Sequence, residues 1–152
     1  MTKNTLYFAY AALLDPDQLT TVAPNAEFRF TAHFPETRLM FVASEDSEGL
    51  PTLRPETGHT VWGAVFEIPE SDVGALRDAE EGEGRVADWD IKAVDREGNK
   101  YECLTFVSKN APNGELRPDS NHLEAMIKGA KHWSLPAGWV LGLKDLGDDS
   151  PF

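Results

Sequence analysis

The chain has 152 residues, enough for one domain with a single core, and its apolar share of 41% and charged share of 26% are those of an ordinary globular protein. A formal net charge of −12 and a pI near 4.6 argue against binding to nucleic-acid backbones or anionic membranes, while leaving room for a small anionic ligand held by local amides. The single cysteine, Cys103, excludes an internal disulfide, and the lack of a basic-plus-apolar leader or a membrane-length apolar run predicts a soluble cytoplasmic protein.

Leu6, Tyr7, Phe8 and Tyr10 make a short apolar first strand. Asp15-Pro16 reads as an N-cap followed by proline at the first helical position, where the missing N–H is not needed, so a short helix starts there. Tyr10 to Leu14 is then a strand-to-helix loop, a common place for backbone amides to meet an anion. It holds no glycine, which limits how tightly it turns. Phe28, Phe30, Ala32 and Phe34 alternate with Arg29, Thr31 and His33 as a strand, and Arg38 to Ala43 form another, with Pro35, Glu36 and Thr37 as a turn-like break between them. Ser44 to Gly58 reads as a long polar loop, of a length usually reserved for function. Arg54, its one cation, can meet a ligand or a neighbouring acid.

Val61, Ala64, Val65, Phe66 and Ile68 supply the next strand, with Gly63 where another backbone can approach closely and Pro69 as its stop. Ser71 or Asp72 caps the helix that follows. Val73, Leu76 and Glu80 fall at i, i+3 and i+7, so the helical register puts a carboxylate on the apolar face. Glu81 lies about a hundred degrees further round. Burial raises a carboxylate's pKa and makes it a usable base near neutral pH. The plain alternative is an acidic helix end and a glycine-containing loop that solvate their own charges.

Ala87, Trp89, Ile91 and Ala93 alternate with Asp88, Asp90 and Lys92 as a half-exposed strand; Arg96 to Asn99 is a hairpin turn, and Tyr101 to Val107 returns as the partner strand. Cys103 is read as a small packed residue of that strand, with no histidine near it in sequence to activate it. After a Pro/Gly-rich link at 111–118, Asp119 or Ser120 caps a helix whose Leu123, Met126, Ile127, Ala130 and Trp133 form a core-facing stripe. Ser134-Leu135-Pro136 breaks it, and a short last helix runs from Trp139 to Leu146. About six strands, mostly antiparallel by their short connections, and a few peripheral helices predict an α+β fold built on a small, closed or nearly closed mixed β-barrel. Residues 1–146 make the domain and 147–152 a short acidic tail. His33, His59, His122 and His132 share no metal-ligand spacing with each other or with Cys103, and neither a phosphate-binding glycine loop nor a serine elbow occurs. These absences argue against a metal or nucleotide enzyme, and the candidate chemistry rests on one carboxylate and on backbone amides.

Four stretches taken in order carry a resemblance. YFAYAALLDP at Tyr7 to Pro16, VWGAVFEIP at Val61 to Pro69, LRDAE at Leu76 to Glu80, and PDSNHLEAMIKGAKHWSLP at Pro118 to Pro136 together resemble the γ-glutamylcyclotransferase family, whose domain is also described as AIG2-like. The matching family patterns are YFAYGSNL, a VWG strand, L-D-x-x-E-G, and P-S-x-x-Y-x-x-x-I-x-x-G-A with a following L-P. The resemblance implies a small barrel with a ligand cavity. It also implies a cofactor-independent lyase in which a substrate's own α-amine attacks its γ-carbonyl, releasing 5-oxoproline and a free amine or amino acid. Glu80 matches the family's catalytic base, with Glu81 as the fallback if the helix ends one residue later. Tyr10, Ala11, Ala12, Leu13 and Leu14 match the substrate loop, whose amides would hold the substrate's carboxylate and the developing oxyanion. The implied partner is a small γ-glutamyl compound, whether a dipeptide, a glutamyl amine or glutathione.

Departures accompany the match. Ala11, Ala12 and Leu13 stand where the family has Gly-Ser-Asn, Glu81 where it has glycine, Arg85 or Val86 near the place of a tyrosine, and His122 in place of a second one. His122 can contact a ligand there or lie on the polar side of its helix. A second reading follows from the AALL loop: a non-catalytic member of the same fold that binds a small ligand or a protein, with Glu80 as a hydrogen-bond acceptor only.

Overall fold

Two long strands, β2 (Glu27–Val42) and β3 (Leu50–Ile68), pair antiparallel along most of their length, from Glu27 opposite Glu67 to Val42 opposite Leu50. In the computed structural model, which describes residues 4–43, 49–88, 92–108 and 116–147, the other elements are laid on this hairpin. Pro35, Glu36 and Thr37 do not separate two strands as expected. The ladder steps across an irregularity, with Pro35 opposite Thr60 and Thr37 opposite Pro55, and then resumes. Glu36 takes a left-handed backbone with φ of 54°, and its carboxylate accepts the Gly58 amide at 3.0 Å, so the step is bonded through. Nor are residues 50–58 a loop. Leu50, Thr52 and Leu53 are buried and paired with β2; the prolines and polar residues around them disguised a ladder. The rest of that expected loop, 44–48, lies outside the described residues. Arg54 is exposed and meets Glu56 at 2.8 Å, a neighbouring acid.

β1 (Thr5–Ala9) pairs antiparallel with the other edge of β3. Gly63 makes this possible, because a Cβ there would sit 2.3 Å from the Ala9 carbonyl oxygen and against the Phe8 ring. Further along, four short strands replace the two expected between Ala87 and Val107: β4 (Arg85–Asp88), β5 (Lys92–Asp95), β6 (Lys100–Glu102) and β7 (Thr105–Ser108). β5 and β6 extend a five-stranded sheet of order β1-β3-β2-β5-β6, whereas β4 and β7 pair in a sheet of their own. Trp89 and Ile91 of the expected strand lie outside the described residues. The Arg96 to Asn99 turn forms as expected, with the Asp95 carboxylate accepting the amides of Glu97 and Asn99 at 2.9 Å each.

The change of sheet happens at Cys103 and Leu104. Leu104 makes a parallel bridge to Tyr7; Phe8 N–H donates to its carbonyl at 2.9 Å, and its own N–H donates to Leu6 O at 2.8 Å. The free edge of β1 is thereby tied to the chain just beyond β6. The sheet curls into a barrel-like form without its ladder closing. Alternation along β1 sorts the core in two. Phe8 and Tyr10 pack with Phe34, Val61, Val65, Ala93 and Cys103, whereas Tyr7 and Ala9 pack with Phe66, Ile68 and the helix residues Leu76, Met126 and Ala130. Cys103 is the small packed residue expected, and burial pushes its thiol up to about 11.

Four helices flank the sheet among the described residues: α1 (Pro16–Val22), α2 (Glu70–Glu81), α3 (Ser120–His132) and α4 (Ala137–Gly147). Asp15 caps α1 by accepting from the Asp17 amide, and Asp119 caps α3 by accepting from the His122 amide, each at 3.0 Å. α2 departs from expectation. Pro69 holds its N-cap position without a side-chain bond, and the buried Asp72 instead accepts the Asn25 amide at 2.8 Å. No helix among the described residues is long and apolar enough to cross a membrane.

Candidate active site

The site starts from helical register. Leu76 on α2 is fully buried, and Glu80 one turn further on is only 4% exposed. After α2 the chain reverses in a tight turn. Gly82 N–H donates to Asp78 O, Glu83 N–H to Glu80 O and Gly84 N–H to Glu81 O, at 2.9 to 3.1 Å. Gly84 takes a φ of 82°, a backbone open to glycine and strained for other residues. The reversal turns Glu83 and Arg85 back toward Glu80, while Glu81 stays exposed at the helix end.

Arg85, the first residue of β4, joins the charges. Its Nη1 donates to Glu83 Oε1 at 2.6 Å and to Glu80 Oε1 at 3.2 Å, and its Nε donates to the Pro51 carbonyl at 3.0 Å. Tyr7 of β1 approaches from the other side, its hydroxyl donating to Glu80 Oε2 at 3.3 Å. Tyr10 donates to the Phe106 carbonyl at 2.6 Å. His122 stands further out, with Nε2 2.8 Å from Glu83 and Nδ1 2.7 Å from its own cap, Asp119. The result is a chain of alternating charges from Glu80 through Arg85 and Glu83 to His122.

The two glutamates are pushed apart. Burial raises Glu80 to about 7 against the pull of Arg85, while Glu83 repels it further. Burial also works on Glu83, but His122 and Arg85 outweigh it and hold that carboxyl down to about 2. The shorter Arg85 bond goes to Glu83, so the guanidinium is spent mainly on the glutamate that stays ionised. Burial, together with Glu80, keeps both tyrosines protonated well above their ordinary range. His122 is raised by its bond to Glu83. The arrangement therefore offers one buried carboxylate poised to take or release a proton near neutral pH.

The Tyr10 to Leu14 loop winds into a 3-10 turn, Ala12–Leu14, and part of its amide supply is used within it. Leu14 N–H donates to Ala11 O and Asp15 N–H to Ala12 O, both at 3.0 Å. Leu13 and Leu14 bury their side chains in the helix-side core, while Ala11 packs beside Tyr10. α3 lies directly on the turn: a Cβ at Gly129 would sit 2.2 Å from the Leu14 carbonyl oxygen, which also accepts the Trp133 indole N–H at 2.8 Å. Of the residues singled out in the sequence, Glu80, Tyr10 and His122 belong to one electrostatic cluster, His122 through Glu83. The places of Tyr7, Glu83 and Asp119 in this cluster, and the pairing of Arg85 with Glu80, escaped the sequence reading. One signal was present: a lone arginine closing the run EEGEGR.

Fold and site together define a barrel-like α+β protein with a buried glutamate held between a tyrosine and an arginine. A solved structure described as a γ-glutamyl cyclotransferase superposes with a TM-score of 0.83 over 93% of this chain and 87% of that one, at 24% identity, and thus shares the γ-glutamylcyclotransferase-like fold. The family model described as the AIG2-like family matches residues 60–143, and the chain belongs to that family. It is similar to the γ-glutamylcyclotransferase of Homo sapiens, with 26% identity over 93% of this chain and 78% of that protein. The γ-glutamylcyclotransferase of Mus musculus is 27% identical over 91% and 77%.

Proposed function

We propose that this chain is a cytoplasmic, cofactor-independent γ-glutamylcyclotransferase-type lyase acting on a small γ-glutamyl compound, with Glu80 as its base. The observation that carries the reading is Glu80 itself, buried, near neutral in pKa and in contact with Tyr7 and Arg85. Glu80 takes a proton from the substrate's α-ammonium. The freed amine attacks the γ-carbonyl carbon, the new C–N bond forms, and charge gathers on the carbonyl oxygen, facing the remaining amides of the Ala11 to Leu13 turn. The tetrahedral centre collapses with cleavage of the γ-amide bond. The proton on Glu80 and the one shed by the attacking nitrogen both end on the departing amine, leaving neutral 5-oxoproline lactam. Nucleophile and electrophile share one molecule, so holding it folded supplies much of the rate.

Tyr7 fixes the Glu80 carboxylate by donating to one oxygen, and Arg85 steadies the ionised form. The experiment is 5-oxoproline release from a panel of γ-glutamyl dipeptides, γ-glutamyl amines and glutathione. Release that disappears in Glu80→Gln is the expected result; an unchanged rate in that variant would reject the assignment. A binding-only protein on the same fold is the second reading, favoured by the packing of Ala11 and Leu13 into the core, which leaves the turn without the polar side chains of the family pattern. Total inactivity of the wild-type chain across the panel would favour it.

A further inference from the structure

The proposed chemistry leaves part of Arg85 unused. The residue is 2% exposed, its Nε and Nη1 are bonded as described, and its Nη2 is buried with no well-aligned acceptor among the described residues, the Tyr10 hydroxyl being its polar neighbour on the guanidinium. A buried guanidinium N–H without an acceptor is unfavourable, and an orphan of this kind in an otherwise bonded site points to a group that arrives from outside. Its neighbours narrow the chemistry. The pair of N–H groups belongs to a cation in a dry setting, and a planar anion meets a guanidinium edge with more energy than a neutral oxygen does.

We infer that Arg85 receives the α-carboxylate of the ligand through Nη2, so that Glu80 and Arg85 together read the α-amine and α-carboxylate of a free glutamyl head group. An α-amino acid carries the two groups on one carbon, and Arg85 Nη1 lies 3.2 Å from Glu80 Oε1, which sets the guanidinium beside the carboxylate that meets the amine. The inference rests on Glu80 meeting the α-amine. It moves the carboxylate away from the Ala11 to Leu13 amides, where the sequence pattern put it, and leaves those amides to the γ-carbonyl. γ-Glutamyl compounds with a free α-carboxylate fit, and compounds whose α-carboxyl is tied up as an amide or a peptide bond do not.

The test compares L-glutamate with its α-carboxamide, L-isoglutamine, by titration calorimetry on the wild-type chain, with no turnover needed. L-glutamate is expected to bind at least about tenfold tighter, equivalent to about 1.4 kcal/mol. In Arg85→Gln the ratio falls to near one, and in Arg85→Lys, which keeps the charge, part of it survives. Equal binding of the two ligands by the wild type, no saturable binding of L-glutamate, or a ratio preserved in a folded Arg85→Gln overturns the inference. The wild-type comparison decides even if Arg85→Gln misfolds through loss of its Pro51 and Glu83 bonds. A glutamate preference without 5-oxoproline release would sink the catalytic reading alone. Release with equal acceptance of α-carboxamide substrates would sink the role of Arg85 alone.

Discussion

Replacing Glu80 by glutamine tests the electrostatics of the site apart from its chemistry. A carboxyl raised from 4.5 to about 7 on folding penalises the folded state once it ionises. The sign follows from linkage. A carboxyl with a raised folded pKa contributes nothing unfavourable below its unfolded value, and stability is lost as pH climbs from that value to the folded one. At 1.36 kcal/mol per pKa unit, the wild-type chain should lose roughly 2 to 3 kcal/mol relative to Glu80→Gln between pH 5 and pH 8. Glutamine is close in shape, keeps one oxygen to accept from either Tyr7 or Arg85, and does not ionise, so the pH dependence of the difference between the two curves isolates the carboxyl. Urea unfolding of both proteins at several pH values gives the answer, with 5-oxoproline release measured alongside. Parallel stability curves for the two proteins would refute the claim that Glu80 is desolvated, whatever the activity shows.

Three further expectations follow from the same geometry. For 5-oxoproline release by the wild-type chain, kcat/KM should rise with pH through an inflection near 7, as Glu80 gains its basic form; a flat profile between pH 6 and 8 would exclude Glu80 as the titrating base. His122 is raised above 6.5 by Glu83, so its stabilising contribution is complete below that ordinary value and fades as pH rises through the folded one. His122→Gln should accordingly be less stable by about 1.5 kcal/mol at pH 6, with the gap narrowing toward pH 9 in thermal or urea unfolding. Gly129→Ala should lower stability by about 3 kcal/mol, because the new methyl overlaps the Leu14 backbone and pushes α3 off the turn; wild-type stability in that variant would show that the contact is looser than described.

Where the fold could be read from sequence, local physics decided it. Asp15-Pro16 and Asp119 announced helix starts because capping is a matter of one side chain and the next few amides. Glu80 was legible because a helical period fixes which residues share a face. Leu50 to Gly58 was missed because pairing with β2 is a long-range affair that its prolines conceal. The split of β4 from β5, and of β6 from β7, left no local mark, since Cys103 and Leu104 alternate like residues of one strand while their partners change sheets. Half of the site was hidden for the same reason. Tyr7 lies 73 residues from Glu80 along the chain, and only the assembled barrel brings its hydroxyl to the carboxylate. Arg85 faces Glu80 because Gly84 reverses the backbone between them, a geometry that composition alone does not specify.

The bridge at Leu104 bears on the order in which the chain can acquire its chemistry. β1 is the first strand synthesised, yet its partners are residues 64–68 of β3 and Leu104 near the far end of the sheet. Contacts this distant in sequence form late, after the closure entropy of the intervening loops has been overcome. A nascent chain that stops short of Leu104 has β1 paired on its β3 edge only, with the bridge to Tyr7 and the Phe106 carbonyl that Tyr10 bonds still missing. Topology thus ties the basicity of the carboxylate to strands drawn from both ends of the chain, and not to the helix that carries it alone.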